Sequence, residues 1–373
     1  MRATIAYLCS SVSWGGLEMN QLRNALWMQE RGHPVFIFCV PESPTARQAA
    51  VLGLDIVAIR QQGKYYDFRA ARRFRHLLIQ HGVTHLILRA TRDMSMAATA
   101  RFRMGKRLHV SYFMEMQLGV QKKNLLHSLR FRFIDLWACP LSYLERQVRT
   151  MTHFKNTLVQ IPSGLELAPF LAAPTSEESR KQLELSQNHF VFGLIGRFDP
   201  QKGQQLVLKA FEQVEDPSVD LVFLGEPTIG EGAEYYKTIL DEIARHGWQE
   251  RVFIRPFRKD TAVFYAAIDV LIMATKAESI GMVTLEALAS GTPVLGSDRG
   301  GTPEILAHEK GGKLFISQDS NDLAKQMRSF VDSPRHYIPE DLRKLVAPND
   351  HHVICEQVEA ALGIPSPRSS QSL

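Results

Sequence analysis

The sequence has few cysteines and no long apolar run. Its four cysteines stand far apart, and no two of them have the spacing of a metal site; they are Cys9, Cys39, Cys139 and Cys355. We therefore expect buried, reduced thiols, and neither a disulfide framework nor a zinc site. The longest apolar stretch, around residues 263–274, is interrupted by Asp269. It falls short of the roughly 18 residues that a membrane-spanning helix needs.

An amino-terminal signal segment, an Asp-x-Asp motif and a short-period repeat are also absent. Without a signal segment we expect a cytoplasmic protein. Hydrophobic residues make up 45% of the chain and charged residues 22%, a balance typical of globular domains that excludes a disordered, collagenous or coiled-coil chain. The chain has 373 residues, which is more than one hydrophobic core ordinarily contains. This length suits two domains of roughly 100 to 200 residues each.

Charge is divided unevenly along the chain. Residues 1–165 hold 23 lysines and arginines against nine acidic residues, a net charge of +14, whereas the remaining residues carry −9 within a total of +5. Opposite signs indicate two domains with different surfaces, and the basic half favours an anionic partner. Nucleic acid, an anionic membrane and a phosphorylated substrate are the alternatives that charge alone leaves open.

Short apolar runs alternate with amphipathic helical segments from end to end, which is typical of βαβ units around a parallel sheet. The expected strands are 3–9, 35–40, 55–59, 84–88 and 109–113 in the first half and 190–195, 219–224, 252–254, 270–273 and 293–295 in the second. Turn and linker residues between 162 and 187 indicate a boundary. We therefore expect an α/β protein with doubly wound domains at 1–165 and 166–335 and a carboxyl-terminal segment at 336–373.

Two glycine-containing turns follow first strands and open helices. Gly15 and Gly16 precede Glu18 in the first domain, without the dinucleotide fingerprint G-x-G-x-x-G. Gly196 leads into Arg197 and Lys202 in the second domain. Glycine lets the backbone approach a ligand, and the amides of a helix start favour an anion. The two cations therefore suit a diphosphate, whereas a plain solvated turn is the alternative at each place.

The most specific pattern is a pair of glutamates separated by seven residues. Glu278 lies in a loop after a strand, Gly281 stands where a helix begins, and Glu286 lies about one turn further in. Carboxylates are pure acceptors, which suits sugar hydroxyls and the diol of a ribose, while the helix start suits a phosphate. The intervening residues that we expect to line the same ligand are Ser279, Ile280, Met282 and Val283. A further glycine turn follows at residues 300–304.

Taken in order, these motifs resemble the retaining glycosyltransferases of family four, which have the GT-B fold and use nucleotide sugars. The similarity spans nearly the whole chain and includes the Ile-Pro-Ser-Gly segment at 161–164. It implies two Rossmann-like domains facing across a cleft, with the carboxyl-terminal helix near 350–362 crossing back to the first domain.

The resemblance also implies roles for residues. Arg197 and Lys202 would stabilise the departing diphosphate, helped by amides near Gly16 and Gly281, while Glu278 would hold the sugar and Glu286 the ribose. The donor would be a UDP- or GDP-sugar, transferred with retention and without a metal or other cofactor. The acceptor would be a glycan or a lipid-linked glycan of bacterial cell-surface polysaccharide biosynthesis.

One departure and one surface complete the predictions. Many relatives have a histidine after the strand that corresponds to 109–113; here Glu115 takes that region as an acceptor-side polar group or base.

Basic residues mixed with Leu and Phe at 101–107 and 121–133 predict peripheral docking on an anionic membrane, against the alternative of a half-buried helix. A nucleotide-sugar epimerase and a non-catalytic module for nucleic acid or membrane remain alternatives, although no nucleic-acid-binding signature is present.

Overall fold

A computed structural model describes residues 3–60, 68–227, 232–276, 278–307, 309–332 and 337–366. The chain forms two compact units. The first unit comprises Met1–Gly164 together with His351–Leu373, and the second unit comprises Leu165–Asp350.

The first unit alternates strands and helices as far as residue 160. Its strands are β1 (Ile5–Cys9), β2 (Val35–Cys39), β3 (Asp55–Ala58), β4 (His85–Leu88), β5 (His109–Phe113), β6 (Leu136–Cys139) and β7 (Thr157–Gln160). Its helices in this part are α1 (Gly16–Glu30), α2 (Pro44–Val51), α3 (Phe68–Gln80), α4 (Met94–Met104), α5 (Leu125–Phe131) and α6 (Ser142–Met151). The strands form one parallel sheet in the order β3-β2-β1-β4-β5-β6-β7.

The second unit repeats this plan. Its strands are β8 (Phe190–Ile195), β9 (Val219–Leu224), β10 (Val252–Arg255), β11 (Val270–Met273), β12 (Val294–Ser297) and β13 (Gly312–Phe315). Its helices are α7 (Ala168–Leu171), α8 (Ser176–Gln182), α9 (Gln204–Phe211), α10 (Ala233–Arg245), α11 (Thr261–Ala267), α12 (Met282–Ser290), α13 (Thr302–Ile305), α14 (Ser320–Asp332) and α15 (Pro339–Val346). The parallel sheet has the order β10-β9-β8-β11-β12-β13.

The inner strands of each sheet are buried on both faces, which explains why they are apolar runs without alternation. Along β1, Ala6 and Leu8 pack into one buried cluster, while Ile5 and Tyr7 pack into another. In the second unit, Val191 and Phe192 divide in the same way between two clusters. The predicted pair of doubly wound α/β domains is therefore confirmed.

The strand order reverses direction once in each sheet, between β1 and β4 and between β8 and β11. Ligands of doubly wound sheets bind beyond the carboxyl ends of the strands at such a reversal. These two strand edges are therefore where the sites of the two units are expected.

The last helix, α16 (His351–Leu362), belongs to the first unit and contacts α1. Its Glu359 forms a buried ion pair with Arg31 at 2.6 Å and contacts the His33 ring nitrogen at 2.8 Å. Gly164 lies against the same helix pair, because a Cβ there would stand 2.6 Å from the Trp27 ring. The helix α15 contacts α12 within the second unit.

All four cysteines are buried thiols outside any disulfide, as the sequence predicted. Burial raises the pKa of the Cys9 thiol to about 11 and that of the Cys139 thiol to about 12. These thiols are therefore protonated and unreactive near neutral pH. Within the described ranges, no helix has the length and apolar character needed to cross a bilayer.

Candidate active site

The turn between β8 and α9 brings the predicted cations to the carboxyl edge of the second sheet. A short 3-10 turn, Pro200–Lys202, precedes Gly203, which has a φ of +82°. A Cβ on Gly203 would stand 2.6 Å from the carbonyl oxygen of Ala274. Only glycine fits here without displacement, so the turn lies directly against the end of β11.

Lys202 and Glu278 contact each other at this edge. The Lys202 Nζ donates to the Glu278 Oε2 at 3.3 Å, and both side chains are partly exposed. The Ser279 amide donates to the other carboxylate oxygen at 3.3 Å. The pair joins residues 76 positions apart, and both charges remain accessible to a ligand.

A glycine turn fixes the loop that carries Glu278. The Gly301 amide donates to the Glu278 carbonyl oxygen at 2.8 Å. Gly300 has a φ of +68°, and a Cβ there would stand 2.0 Å from that same carbonyl oxygen. The motif at 300–304 therefore supports the Glu278 loop from behind.

The start of helix α12 lies just beyond Glu278. Gly281 is its N-cap residue and has no side-chain cap, so the first amides of the helix have no intrahelical partner. These amides belong to Gly281, Met282 and Val283, while Ile280 is buried. A phosphate can bind at such a helix start.

Glu286 lies on α12 and is held by Tyr265 of α11. The buried Tyr265 hydroxyl donates to the Glu286 Oε2 at 2.8 Å. Burial, followed by the Glu286 charge, raises the pKa of Tyr265 well above its usual range, so the phenol stays protonated and keeps donating. Tyr265 did not figure among the predicted residues, because its approach depends on how α11 packs against α12.

Arg197 takes no part in the Lys202–Glu278 ion pair. Its side chain is exposed, and within the described parts of the chain it makes no ion pair. Its carbonyl oxygen accepts from the Gln204 amide at 2.8 Å, which fixes the backbone of the turn and leaves the guanidinium accessible. Gly196 lies beside the Lys202 side chain, because a Cβ on Gly196 would stand 3.5 Å from the Lys202 Cδ.

The first unit has polar residues at its own strand edge. Glu115 follows β5 and forms a buried ion pair with Arg89, which follows β4. The Asn20 amide donates to the Glu115 Oε2 at 3.2 Å. Burial lowers the pKa of Arg89 to about 10, and its guanidinium lies 5.5 Å from the centre of the Phe113 ring. The Glu115 charge is thus already compensated, which favours a positioning role over that of a base.

Gly15 and Gly16 open α1 as predicted. Gly15 is the N-cap residue, in extended conformation with a φ of −167°, and no side chain caps the helix. A Cβ on Gly16 would meet no atom within 4 Å, so the backbone here is open to a ligand.

Sequence reasoning missed a second buried pair at this edge. Ser10 follows β1 and donates its hydroxyl to Asp93 Oδ1 and its amide, at 3.3 Å, to Asp93 Oδ2. Burial raises the pKa of the Asp93 carboxyl to about 6. The position of Ser10 and Arg89 directly after strands was the signal that could have identified this edge.

Comparison with known proteins places the cations and both glutamates in a matched region. Residues 175–347 match the family model for glycosyl transferases group 1. Solved structures match nearly the whole chain: that of Anabaena Alr3699/HepE in complex with UDP and glucose has a TM-score of 0.82 at 20% identity, covering 97% of this chain and 100% of that one. The apo lipopolysaccharide outer core galactosyltransferase WaaB has a TM-score of 0.75 at 14% identity, covering 96% and 99%.

The fold is GT-B.

Curated relatives match about half of the chain. The lipopolysaccharide 1,2-N-acetylglucosaminetransferase of Salmonella typhimurium is 30% identical over 194 residues, which are 50% of this chain and 51% of that protein. The D-inositol 3-phosphate glycosyltransferase of Streptomyces avermitilis is 31% identical over 198 residues, 51% of this chain and 42% of that protein. The match thus spans about half the length of these relatives.

Proposed function

We propose that the protein is a glycosyltransferase that moves a hexose-type sugar from a UDP- or GDP-sugar to a glycan or lipid-linked acceptor. The observation that carries this proposal is the Lys202–Glu278 contact in front of the uncapped start of α12. A cation, a hydroxyl acceptor and free amides meet there at the carboxyl edge of a doubly wound sheet. The group 1 match over 175–347 and the UDP and glucose of the Anabaena HepE structure support the same assignment.

Each part of the donor would bind the groups of complementary charge. Its diphosphate would bind Lys202 and the α12 amides, and the exposed Arg197 side chain can turn toward it. On donor binding, the Lys202 ammonium would leave Glu278 and pair with the phosphate. The Glu278 carboxylate could then accept hydrogen bonds from the sugar hydroxyls. The Glu286 Oε2 accepts from the Tyr265 hydroxyl, and the Glu286 carboxylate would also accept from the ribose hydroxyls. Departure of the diphosphate is assisted by positive charge that is already in place.

We further propose retention of the anomeric configuration without a metal or other cofactor. The E-x7-E motif of Glu278 and Glu286 supports retention through the family resemblance. Lys202, Arg197 and the α12 amides supply positive charge at the place of the diphosphate, and the sequence has no Asp-x-Asp. Proton NMR of the first product formed should show the donor's anomeric configuration, and turnover should persist in EDTA. An inverted product or loss of turnover in EDTA would refute the respective point.

The acceptor is proposed to belong to bacterial cell-surface polysaccharide biosynthesis at the inner face of the membrane. The Salmonella relative is named as a lipopolysaccharide N-acetylglucosaminetransferase, which supports an acceptor of this kind. A glycan primed on lipid would be presented at a membrane surface, which fits the +14 net charge of residues 1–165.

The surface proposed for membrane docking lies on α4 and α5. Phe102, Leu125 and Leu129 are exposed there, with 86% exposure at Leu125, and Arg103 and Lys123 are exposed cations nearby. A mainly apolar cavity of about 220 Å³ opens between the two helices. Arg101 and Arg130 do not belong to this surface, because the first pairs with Asp135 and the second is buried beside Ser95.

Vesicle flotation tests the docking surface. Vesicles containing phosphatidylglycerol should carry the protein upward, those of phosphatidylcholine alone should not, and Leu125→Ser should reduce flotation. The control is Leu240→Ser, which replaces an exposed leucine of the second unit. Equal flotation on both vesicle types would refute the docking proposal and leave the transferase proposal intact.

A thermal-shift panel of UDP- and GDP-sugars tests the donor. A ligand at 100 times its Kd stabilises the folded state by about 2.7 kcal/mol, which is measurable as a raised Tm. We expect one nucleotide series to raise Tm and the other not to. No shift with any nucleotide or nucleotide sugar would contradict the proposed function.

A further inference from the structure

The cavity between α4 and α5 has the size and lining of a site for a hydrocarbon chain. Its volume is about 220 Å³, and its walls are mainly apolar. Ala98 and Phe102 of α4 line it on one side, and Leu129 of α5 and the following Phe133 line it on the other. Apolar cavities of about 150 Å³ stay dry and take up hydrocarbon, because water there lacks hydrogen-bond partners. The interior therefore favours an apolar ligand over water.

The apolar walls of this cavity continue to the protein surface. Phe102 is 62% exposed and Leu129 is 49% exposed. The Phe102 ring packs edge to face on the Phe133 ring, with centroids 5.3 Å apart. Large apolar side chains in water are unfavourable, and their burial under a ligand is a source of binding free energy. The opening is thus accessible from solvent and is itself apolar.

Positive charge surrounds the opening. Residues 94–134 contain eight lysines and arginines but one acidic residue, the buried Glu115. Arg103 lines the cavity, is exposed, and has no ion-pair partner among the residues that the structure describes. Arg101 of the same helix instead pairs with Asp135. An accessible guanidinium beside an apolar cavity suits an anionic head group, since arginine can bind a phosphate through two parallel hydrogen bonds.

Charge and cavity together select one kind of occupant. A second copy of this chain would bring the same excess of cations against this face, and like charges repel each other. An uncharged hydrocarbon would fill the cavity but would not engage the cations, whereas a nucleic acid would engage the cations but not the cavity. An anionic lipid supplies both a chain for the cavity and a phosphate for Arg103.

We propose that this cavity binds the hydrocarbon chain of one anionic lipid, whose phosphate pairs with Arg103. The inference rests on the proposed function and narrows it, because a lipid-linked acceptor is the substrate that would carry such a chain and phosphate. It differs from docking on a bilayer, which needs only the exposed surface around Leu125. The cavity holds a single lipid molecule at a fixed place on the first unit.

Monomeric alkyl phosphates test the cavity without a bilayer. Calorimetric titrations use octyl phosphate, butyl phosphate, octanol and inorganic phosphate, each with and without saturating UDP or GDP. We expect one octyl phosphate per chain, bound at least tenfold more tightly than any of the other three, because each buried methylene adds about fourfold in affinity and the phosphate adds its pairing with arginine. Equal affinity for octyl and butyl phosphate, or displacement of octyl phosphate by the nucleotide, would overturn the proposal.

Variants of the cavity locate the chain and the phosphate. Ala98→Phe fills the cavity and should weaken octyl phosphate binding at least tenfold, with Tm unchanged or raised. Leu129→Glu places negative charge at the half-exposed wall and should do the same without overpacking; its control is Leu240→Glu on α10. Arg103→Gln should remove the preference for octyl phosphate over octanol, whereas Arg75→Gln on the exposed face of α3 should keep it.

Comparison with vesicle flotation separates this site from the docking surface. Leu125→Ser should reduce flotation and leave the octyl phosphate affinity within twofold of wild type, and Ala98→Phe should do the reverse. Wild-type affinity in both folded cavity variants, Ala98→Phe and Leu129→Glu, would overturn the proposal. A dimer in sedimentation velocity that Leu129→Glu dissociates would also overturn it, since the face would then bind a second copy. Wild-type protein that binds octyl phosphate but no nucleoside diphosphate would instead overturn the proposed function.

Discussion

At the scale of single residues, the donor site depends on a lysine that already has a partner. The Lys202–Glu278 contact holds both side chains near the α12 start before a ligand arrives, so less side-chain freedom is lost on binding. Exposed ion pairs contribute little to stability, and this pair is partly exposed. We therefore expect its removal to affect binding and turnover far more than folding.

Lys202→Met should lower kcat for sugar transfer by about 100-fold or more, the usual effect of removing one group that stabilises developing charge. Its Tm should stay within a few degrees of wild type. Initial rates of nucleoside diphosphate release measure the effect. Lys209→Met, on the exposed face of α9, is the control, and near-wild-type turnover in the Lys202 variant would refute the assignment.

Tyr265→Phe removes the hydroxyl that holds Glu286. Hydrogen bonds to charged groups contribute about 1.5–3 kcal/mol, and without this one Glu286 loses its fixed position for the ribose. We expect about tenfold weaker nucleoside diphosphate binding by calorimetry. The control is Tyr236→Phe on α10, and equal affinities of the two variants would show that the Tyr265–Glu286 bond does not serve the ligand.

Asp93 should give the folding stability a recognisable pH dependence. Its pKa is about 6 in the folded protein, against 3.8 for the ordinary carboxyl, so the native state binds this proton more tightly than the unfolded state. The group therefore stabilises the fold increasingly as pH falls from about 7 through 6 toward 4. Burial is the main cause of the raised pKa of Asp93 and the Glu18 charge adds to it, whereas the Ser10 hydrogen bonds and the Arg92 charge lower that pKa.

Urea unfolding of wild type and Asp93→Asn at pH 7 and pH 5 isolates this contribution. From pH 7 to pH 5, the free energy of unfolding of wild type should rise by about 1.4 kcal/mol more than that of the variant. This is the value of one pH unit below the pKa of Asp93. An identical pH response in both proteins would contradict the assignment.

Within each motif, the residues predicted from the sequence lie close together along the chain, whereas the missed residues contact partners far away in the sequence. Glu278, Gly281 and Glu286 follow from spacing around one helix start. Tyr265 lies 21 positions from Glu286, and Ser10 and Asp93 are 83 positions apart, so only packing brings them together. The roles of Arg197, Lys202, Glu278 and Glu286 stay predictions until the variants are measured.

At the scale of elements, apolar runs predicted most strands because a parallel sheet buried on both faces admits few polar residues. The strands β6 and β13 escaped prediction, and for β7 the sequence indicated only that a strand ends at the Ile-Pro-Ser-Gly segment 161–164. β7 and β13 lie at sheet edges, and β7 reads Thr-Leu-Val-Gln with exposed ends, so edge position explains its weak apolar signal. The sequence of β6, Leu-Trp-Ala-Cys, is buried throughout but is only four residues long.

The glycine turns provide a test at this scale. Gly300 and Gly247 both have a φ of +68°, but a Cβ on Gly300 would collide with the Glu278 backbone, whereas one on Gly247 would meet nothing within 4 Å. Gly247→Ala should cost only the left-handed backbone penalty of about 1–2 kcal/mol. Gly300→Ala should cost more and should also weaken donor binding, since the Glu278 loop must move.

Urea unfolding and nucleotide-sugar titration of both variants measure these two effects. Equal unfolding free energies, or unchanged donor affinity in Gly300→Ala, would show that the turn does not support the Glu278 loop.

At the scale of the whole molecule, the fold was predictable and the chemistry less so. Alternating βα elements on either side of a linker led to two doubly wound units, and structural relatives confirm GT-B. Sugar, nucleotide and acceptor depend on contacts that spacing does not encode. The net charge of +5 hides a basic first half, which we assign to the acceptor side, and an acidic second half in which Lys202, Arg197 and a helix start supply local positive charge.

The most direct test of the account is release of nucleoside diphosphate from a panel of UDP- and GDP-sugars by wild type and by Glu278→Gln. The account predicts that wild type releases the nucleotide from at least one donor. It also predicts that Glu278→Gln, with an unchanged Tm, binds the free nucleotide but loses at least tenfold in release rate. A wild-type protein that neither binds nor cleaves any nucleotide sugar, or a Glu278→Gln variant as active as wild type, would contradict it.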